Sequence, residues 1–139
     1  MANFQNNPYD YAMAIQAELK SIVDPVPVYI NFNRNWATEP TFITWQLRNI
    51  HQPVYTGQRQ GNKGIDRPIF QISLFAKSEA DVFELSNTVL QSLHGYSGQF
   101  GGPDGFFVAK ADVMWLYNTY DDSIKLQQII LDCTLDIPN

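Results

Sequence analysis

The chain has one cysteine, Cys133, and two histidines, His51 and His94, in 139 residues. A lone thiol forms no internal disulfide, and a zinc site needs several Cys and His at set spacings. Basic residues are also scarce: nine Lys and Arg stand against fourteen Asp and Glu, giving a net charge of −5 and a pI near 4.7. Phosphate backbones are held by clustered cations that release counterions, and these cations are scattered singly. The composition argues against nucleic-acid binding. No apolar stretch approaches the roughly 20 residues that span a membrane, so no transmembrane segment is expected. The first residues do not combine a basic region with an apolar one, and synthesis in the cytoplasm is expected.

What is present is apolar and aromatic. Hydrophobic residues make up 45% of the chain, aromatics 14% and charged residues 17%, as in a packed, strand-rich protein. One domain over 1–139 is expected, burying roughly two-thirds of its unfolded surface. Asn6-Asn7-Pro8 predicts a helix start, with a cap residue and a proline at the first helical position. Ala12, Ile15, Leu19 and Ile22 then recur at helical spacing until Asp24-Pro25. From Val26 the period changes to two. Val28, Ile30 and Phe32 predict a strand, Asn33-Arg34-Asn35 a turn, and Ile43, Trp45 and Leu47 a second strand, together a hairpin. Residues 50–67 have no apolar period and predict a long polar loop.

Phe70, Ile72 and Leu74 predict a third strand, and Ser78-Glu79-Ala80-Asp81 the capped start of a second helix. Val82, Leu85, Val89 and Leu93 form its apolar stripe, and His94-Gly95 ends it. Five glycines between Gly95 and Gly105 predict a flexible loop or insertion arm. Ala109, Ala111, Val113, Trp115 and Tyr117 predict a long strand, Asp121-Asp122-Ser123 a turn, and Ile129 to Ile137 at every second position the last strand. The order is α-β-β-β-α-β-β. It predicts an α+β domain, a mixed, mostly antiparallel sheet of about five strands with two helices packed on one face.

Candidate chemistry is thin. His51 falls in a loop and His94 at a helix end, where surface or capping roles suffice. Cys133 lies on the apolar parity of its strand and reads as core. Asp121-Asp122, with Asp104, Asp112, Asp132 and Asp136, has the chemistry for acid–base work or a hard cation, but adjacent acids in a hairpin turn are ordinary turn formers. Gly98-Gln99-Phe100-Gly101-Gly102 lacks the lysine-threonine ending of a phosphate-binding loop. Trp36, Trp45, Trp115, Tyr117 and Tyr120 would stack on single-stranded bases only inside a basic groove. Core or subunit interface is the expected role for them. No catalytic residue, cofactor or metal site is expected, and the chain is expected not to be an enzyme.

Several segments nevertheless have a familiar arrangement. Tyr11-Ala12-Met13-Ala14-Ile15-Gln16-Ala17-Glu18-Leu19 in the first helix is one. Arg67-Pro68-Ile69-Phe70-Gln71-Ile72-Ser73-Leu74-Phe75-Ala76 leading into Ser78-Glu79-Ala80, then Leu85 through Leu93 and Gly95, is another. With the element order, these segments resemble the tail completion, or tail terminator, proteins of long-tailed bacteriophages. The resemblance implies a homo-oligomeric ring, hexameric in this family, at the head-proximal end of the tail tube. Such a ring ends tube polymerisation and joins tail to neck. Implied partners are the tail tube protein and a connector or neck protein, and genome DNA passes through the lumen without specific binding. The implied location is the virion, in the neck region of the tail, after synthesis in the host cytoplasm.

A cyclic ring needs contacts between unlike patches, and sheet edges and long loops supply them. The loop 50–67, with Gln58, Arg59, Gln60, Asn62 and Lys63, and the arm 95–105, with Gln99 and Phe100, are the expected contacts, together with Tyr120. The segment Trp36–Thr41 and the arm are longer than a minimal member needs. Alternatives are another neck component, such as a head-completion or connector adaptor protein, and a small metal-dependent enzyme using the glycine-rich loop and the Asp121-Asp122 turn.

Overall fold

Helix α1 runs over Pro8–Val23, with proline at its first position, Asp10 in the first turn and Lys20 in the last. Both charges suit the helix dipole. A computed structural model describes residues 8–54 and 65–138 of the chain. The buried face of α1 is Tyr11, Ala14, Ile15, Leu19 and Val23, rotated slightly from the expected stripe. Ala12 and Ile22 flank it, half-buried. Tyr11 takes the centre because its hydroxyl donates to the buried carboxylate of Asp66.

Strand β1 is short, Val28–Ile30, and pairs in parallel with β2, Phe42–Val54. The expected hairpin is therefore wrong. Asn31 turns the chain with φ 66°, and Asn33 Oδ1 accepts from the Asn35 N–H at 2.7 Å. The Asn35 carbonyl in turn accepts from the N–H groups of Thr38 and Glu39. These local bonds fold 31–41 on itself and carry the chain back to the start of β1. Because β1 stops at Ile30, both Ile30 and Phe32 are exposed rather than core.

β3, Ile65–Ala76, pairs antiparallel with β2 from Phe42↔Phe75 to Val54↔Ile65. The expected loop 50–67 is thus strand at both ends, and its central residues 55–64 lie outside the described residues. Two register shifts, between Leu47 and Asn49 and between His51 and Val54, scramble the period-two pattern there. Helix α2, Glu79–Leu93, matches expectation: Ser78 Oγ accepts from the Asp81 N–H at 3.1 Å, and Val82, Leu85, Val89 and Leu93 are buried. Gly95 follows in the left-handed region at φ 78°.

The glycine-rich segment is not a loose arm. β4, Gly98–Phe100, and β5, Phe106–Val108, form a separate two-stranded sheet. It is pinned to α1, where Gly101 N–H donates to Glu18 Oε1 at 2.9 Å. β6, Lys110–Asp121, and β7, Leu126–Pro138, form the closing hairpin. Its turn is held by Asp121 Oδ1, which accepts from the Ser123 N–H and hydroxyl at 3.0 and 2.6 Å.

The main sheet has the order β1-β2-β3-β7-β6. Both helices pack on one face, over a core that includes Trp45, Phe70, Ile72, Leu131 and Cys133. The opposite face carries a smaller cluster of Phe42, Phe75 and Leu126, flanked by Tyr29 and Ile124. Arg67 Nε lies 2.6 Å from Asp136 Oδ1 on that open face, and Arg48 Nη1 lies 3.8 Å from Asp132 Oδ1.

Candidate assembly surfaces

β6 is the outer strand of the main sheet, and its free side is only partly covered. Gly95 N–H donates to the Ala111 carbonyl at 2.8 Å, and Ala111 N–H donates to the Tyr96 carbonyl at 2.9 Å. His94 continues the cover, its Nδ1 accepting from the Val113 N–H at 3.1 Å. Its imidazole caps a strand rather than the helix it ends. Beyond Val113 no further backbone partner borders β6 on that side among the described residues. A bare edge of this kind is a template for another chain.

The same stretch exposes aromatics. A register shift between Trp115 and Tyr117 breaks the expected alternation after Val113. Trp115 pairs with Leu131 on the helix side, but Tyr117 pairs with Ile130 on the other. Trp115 is 38% exposed and Tyr117 52%. Phe83 of α2 stacks on Trp115 with centroids 6.3 Å apart. Together they make a half-exposed apolar surface beside a free edge, the composition of an interface centre.

The site residues expected from sequence fare unevenly. Gln58, Arg59, Gln60, Asn62 and Lys63 lie outside the described residues. Gln99 is exposed, its Nε2 donating to the Gly102 carbonyl at 2.8 Å. Phe100 is not a surface residue of the folded chain: it is fully buried and stacks on Phe106. Its neighbours Phe106 and Val108 were the signal that the glycines frame a packed hairpin. Tyr120 sits near the end of β6 and is 48% exposed. Sequence reasoning did not find Phe83, Met114 or the cavity beside Asn33, because each depends on contacts between distant segments.

Reactive chemistry finds little geometry. Asp112 Oδ1 lies 3.7 Å from His94, and Asp132 and Asp136 face arginines. Among the described residues, no group of three or more His, Cys, Asp or Glu is placed to hold a metal ion. No described helix is long and apolar enough to cross a membrane. Burial pushes the Cys133 thiol well above its ordinary value of 9.0, and the charges of Asp112 and Asp132 push it further.

The sign of the resulting pH effect is fixed by linkage. The unfolded thiol ionises as pH passes about 9, while the folded thiol stays neutral, so this contribution to stability is full below that pH and declines above it. Urea midpoints at pH 8 and pH 10 are expected to differ less in Cys133→Ala than in the parent. An equal difference would assign the alkaline loss to other groups. The native thiol is also expected to resist an aromatic disulfide reagent at pH 8 and to react fully in urea.

No protein-family model and no curated protein sequence matches this chain. Solved structures do. One is a chain in the virion of a native gene transfer agent particle, with a TM-score of 0.60 at 12% identity, covering 94% of this chain and 92% of that one. The fold is shared almost end to end. A second is the sheath/tube terminator of an extracellular contractile injection system, PVC, in its extended state. There the TM-score is 0.57 at 11% identity, covering 99% of this chain and 58% of that one. The mixed sheet and its two helices are therefore an architecture that a virion component and a sheath/tube terminator also use.

Proposed function

We propose that this chain is a non-enzymatic virion structural protein, a tail terminator. It forms a six-membered ring on the head-proximal end of the tail tube, stops tube polymerisation and joins the tail to a connector or neck protein. The observation that carries this reading is the near-complete overlap of the fold with a virion component and with a sheath/tube terminator. The bare edge of β6 and its aromatics support it, since a ring is built from heterologous contacts between unlike patches. The acidic composition supports it too, because a channel wall poor in clustered cations lets DNA pass without holding it.

Light scattering on the purified chain, followed by negative-stain images after mixing with preformed tubes, tests the reading. Rings capping one end of each tube are the expected result, and Trp115→Asp is expected to abolish them while leaving the chain folded. A chain that stays monomeric and ignores tube ends overturns the proposal. Particles made without the protein are expected to carry tails of irregular length. Filled heads lacking tails would instead make it a neck adaptor.

A further inference from the structure

On the open face of the sheet, the segment after β1 folds over the start of β2 and the end of β3. Beneath it lies a cavity of about 330 Å³, at the small end of the roughly 300–1,000 Å³ typical of ligand pockets. Trp36, Phe42, Phe75 and Ile124 form its apolar walls, and Asp121 is the one charged residue in its lining. Arg34 and Lys125 adjoin lining residues in sequence but do not line it. The Asp121 carboxyl is held below its usual range, chiefly by the Ser123 hydroxyl, so it stays ionised.

Asn33 completes the lining. It is 1% exposed, and its Oδ1 is engaged by the Asn35 N–H, but its Nδ2 has no partner. The other unmatched buried side-chain atom among the described residues is an acceptor, Asp132 Oδ1, and it faces Arg48. An orphaned buried donor costs about 1–3 kcal/mol, and an acceptor entering the cavity offsets that. The walls want a flat or apolar group, Asp121 wants a cation, and Asn33 wants a carbonyl oxygen. A peptide bearing a cationic side chain meets all of these, and arginine best, because its planar guanidinium stacks on aromatic rings and pairs with carboxylates.

The chain contains such a peptide. Residues 55–64 carry Arg59 and Lys63 and no acid. They join β2 to β3 at Val54 and Ile65, while Phe42 and Phe75, at the other ends of the same two strands, wall the cavity. The 13 residues of β2 separate the two by on the order of 40 Å at about 3.3 Å per residue. A ten-residue connection that must go out and return reaches about 17 Å at most, so it falls short of its own cavity.

We propose that the cavity receives the cationic segment 55–64 of a second copy of this chain, with Arg59 against Trp36 and Asp121. The contact is head-to-tail, between opposite ends of one strand pair, and it deepens the ring reading on which it rests by naming one subunit joint.

Two experiments test it on the full chain. Arg59→Asp and Asp121→Arg are each expected to weaken self-association about tenfold or more, measured by sedimentation, with the unfolding temperature of each variant near that of the parent. Mixed together they are expected to reassociate, since every segment then finds a cavity of opposite charge. Separately, Gln60→Cys and Ser123→Cys preparations are expected to form disulfide-linked dimers when mixed under mild oxidation, and neither alone. Variants that associate like the parent, or a mixture that stays apart, overturn the joint while leaving the ring reading intact if the parent still caps tubes. If Asp121→Arg loses tube binding but keeps the ring, the cavity belongs to the tube protein and the proposal is wrong. A parent chain that never self-associates removes both.

Discussion

Trp45→Ala is expected to lower the unfolding free energy by about 3–5 kcal/mol. Trp45 is buried near the middle of β2 and meets Phe70 edge-on at 6.0 Å. Its indole Nε1–H donates to Gln16 Oε1 at 2.7 Å, and Gln16 Nε2 donates to the Val28 carbonyl at 2.9 Å. One residue thus ties β2 to α1, and through it to β1. Truncation opens a cavity and strips Gln16 of a donor, so the loss combines packing with an unmet polar atom. Against a total of about 5–15 kcal/mol for a domain, this is a large fraction. A urea titration checks it: the midpoint should fall with the slope unchanged. Trp115→Ala, at a half-exposed position, is expected to stay within about 1 kcal/mol of the parent. Equal losses at the two tryptophans would contradict the division into core and surface.

Gly101→Ala is expected to lift the β4–β5 sheet off α1, at a cost of about 2–4 kcal/mol. Gly101 has φ +85°, and a Cβ there would lie 2.5 Å from the Ala14 Cβ and 2.7 Å from its Cα. The obstacle is helix backbone and cannot rotate away, so the hydrogen bond to Glu18 is lost as the two elements part. Gly102→Ala separates the causes. Its φ is +80°, but nothing lies within 4 Å of its Cβ position, so only the left-handed strain of about 1–2 kcal/mol remains. Amide exchange reports the difference, with residues 98–108 losing protection in Gly101→Ala while α2 and β3 keep theirs. Similar behaviour of the two variants would mean that the close approach to α1 carries no weight.

The elements legible in sequence are those whose signals are local. Pro8 and Ser78 mark helix starts by chemistry within one turn, and the Ile129-to-Ile137 alternation survives because β7 is flanked by strands on both sides. The parallel pairing of β1 was not legible, since a three-residue strand carries no mark of its partner. Nor were the ends of β2 and β3, where the register shifts hide the period. Glycines at 101, 102 and 105 suggested looseness, yet they are what lets Phe100 reach the core beside Phe106. The assembly surface was half-visible: Trp115, Tyr117 and Tyr120 stood out by type, but which face each occupies depends on a bulge that composition does not announce. The Asn33 cavity is built from residues 31–36, 42–44, 75 and 121–124, and no window along the chain contains it.

The parallel joining of β1 to β2 also sets the polarity of the sheet's two borders. In a five-stranded meander the outermost strands would run the same way. Here one parallel step reverses that, and β1 and β6 run in opposite directions. Copies related by rotation about an axis along the strands bring these unlike borders towards each other with antiparallel sense, the stronger of the two ladder geometries.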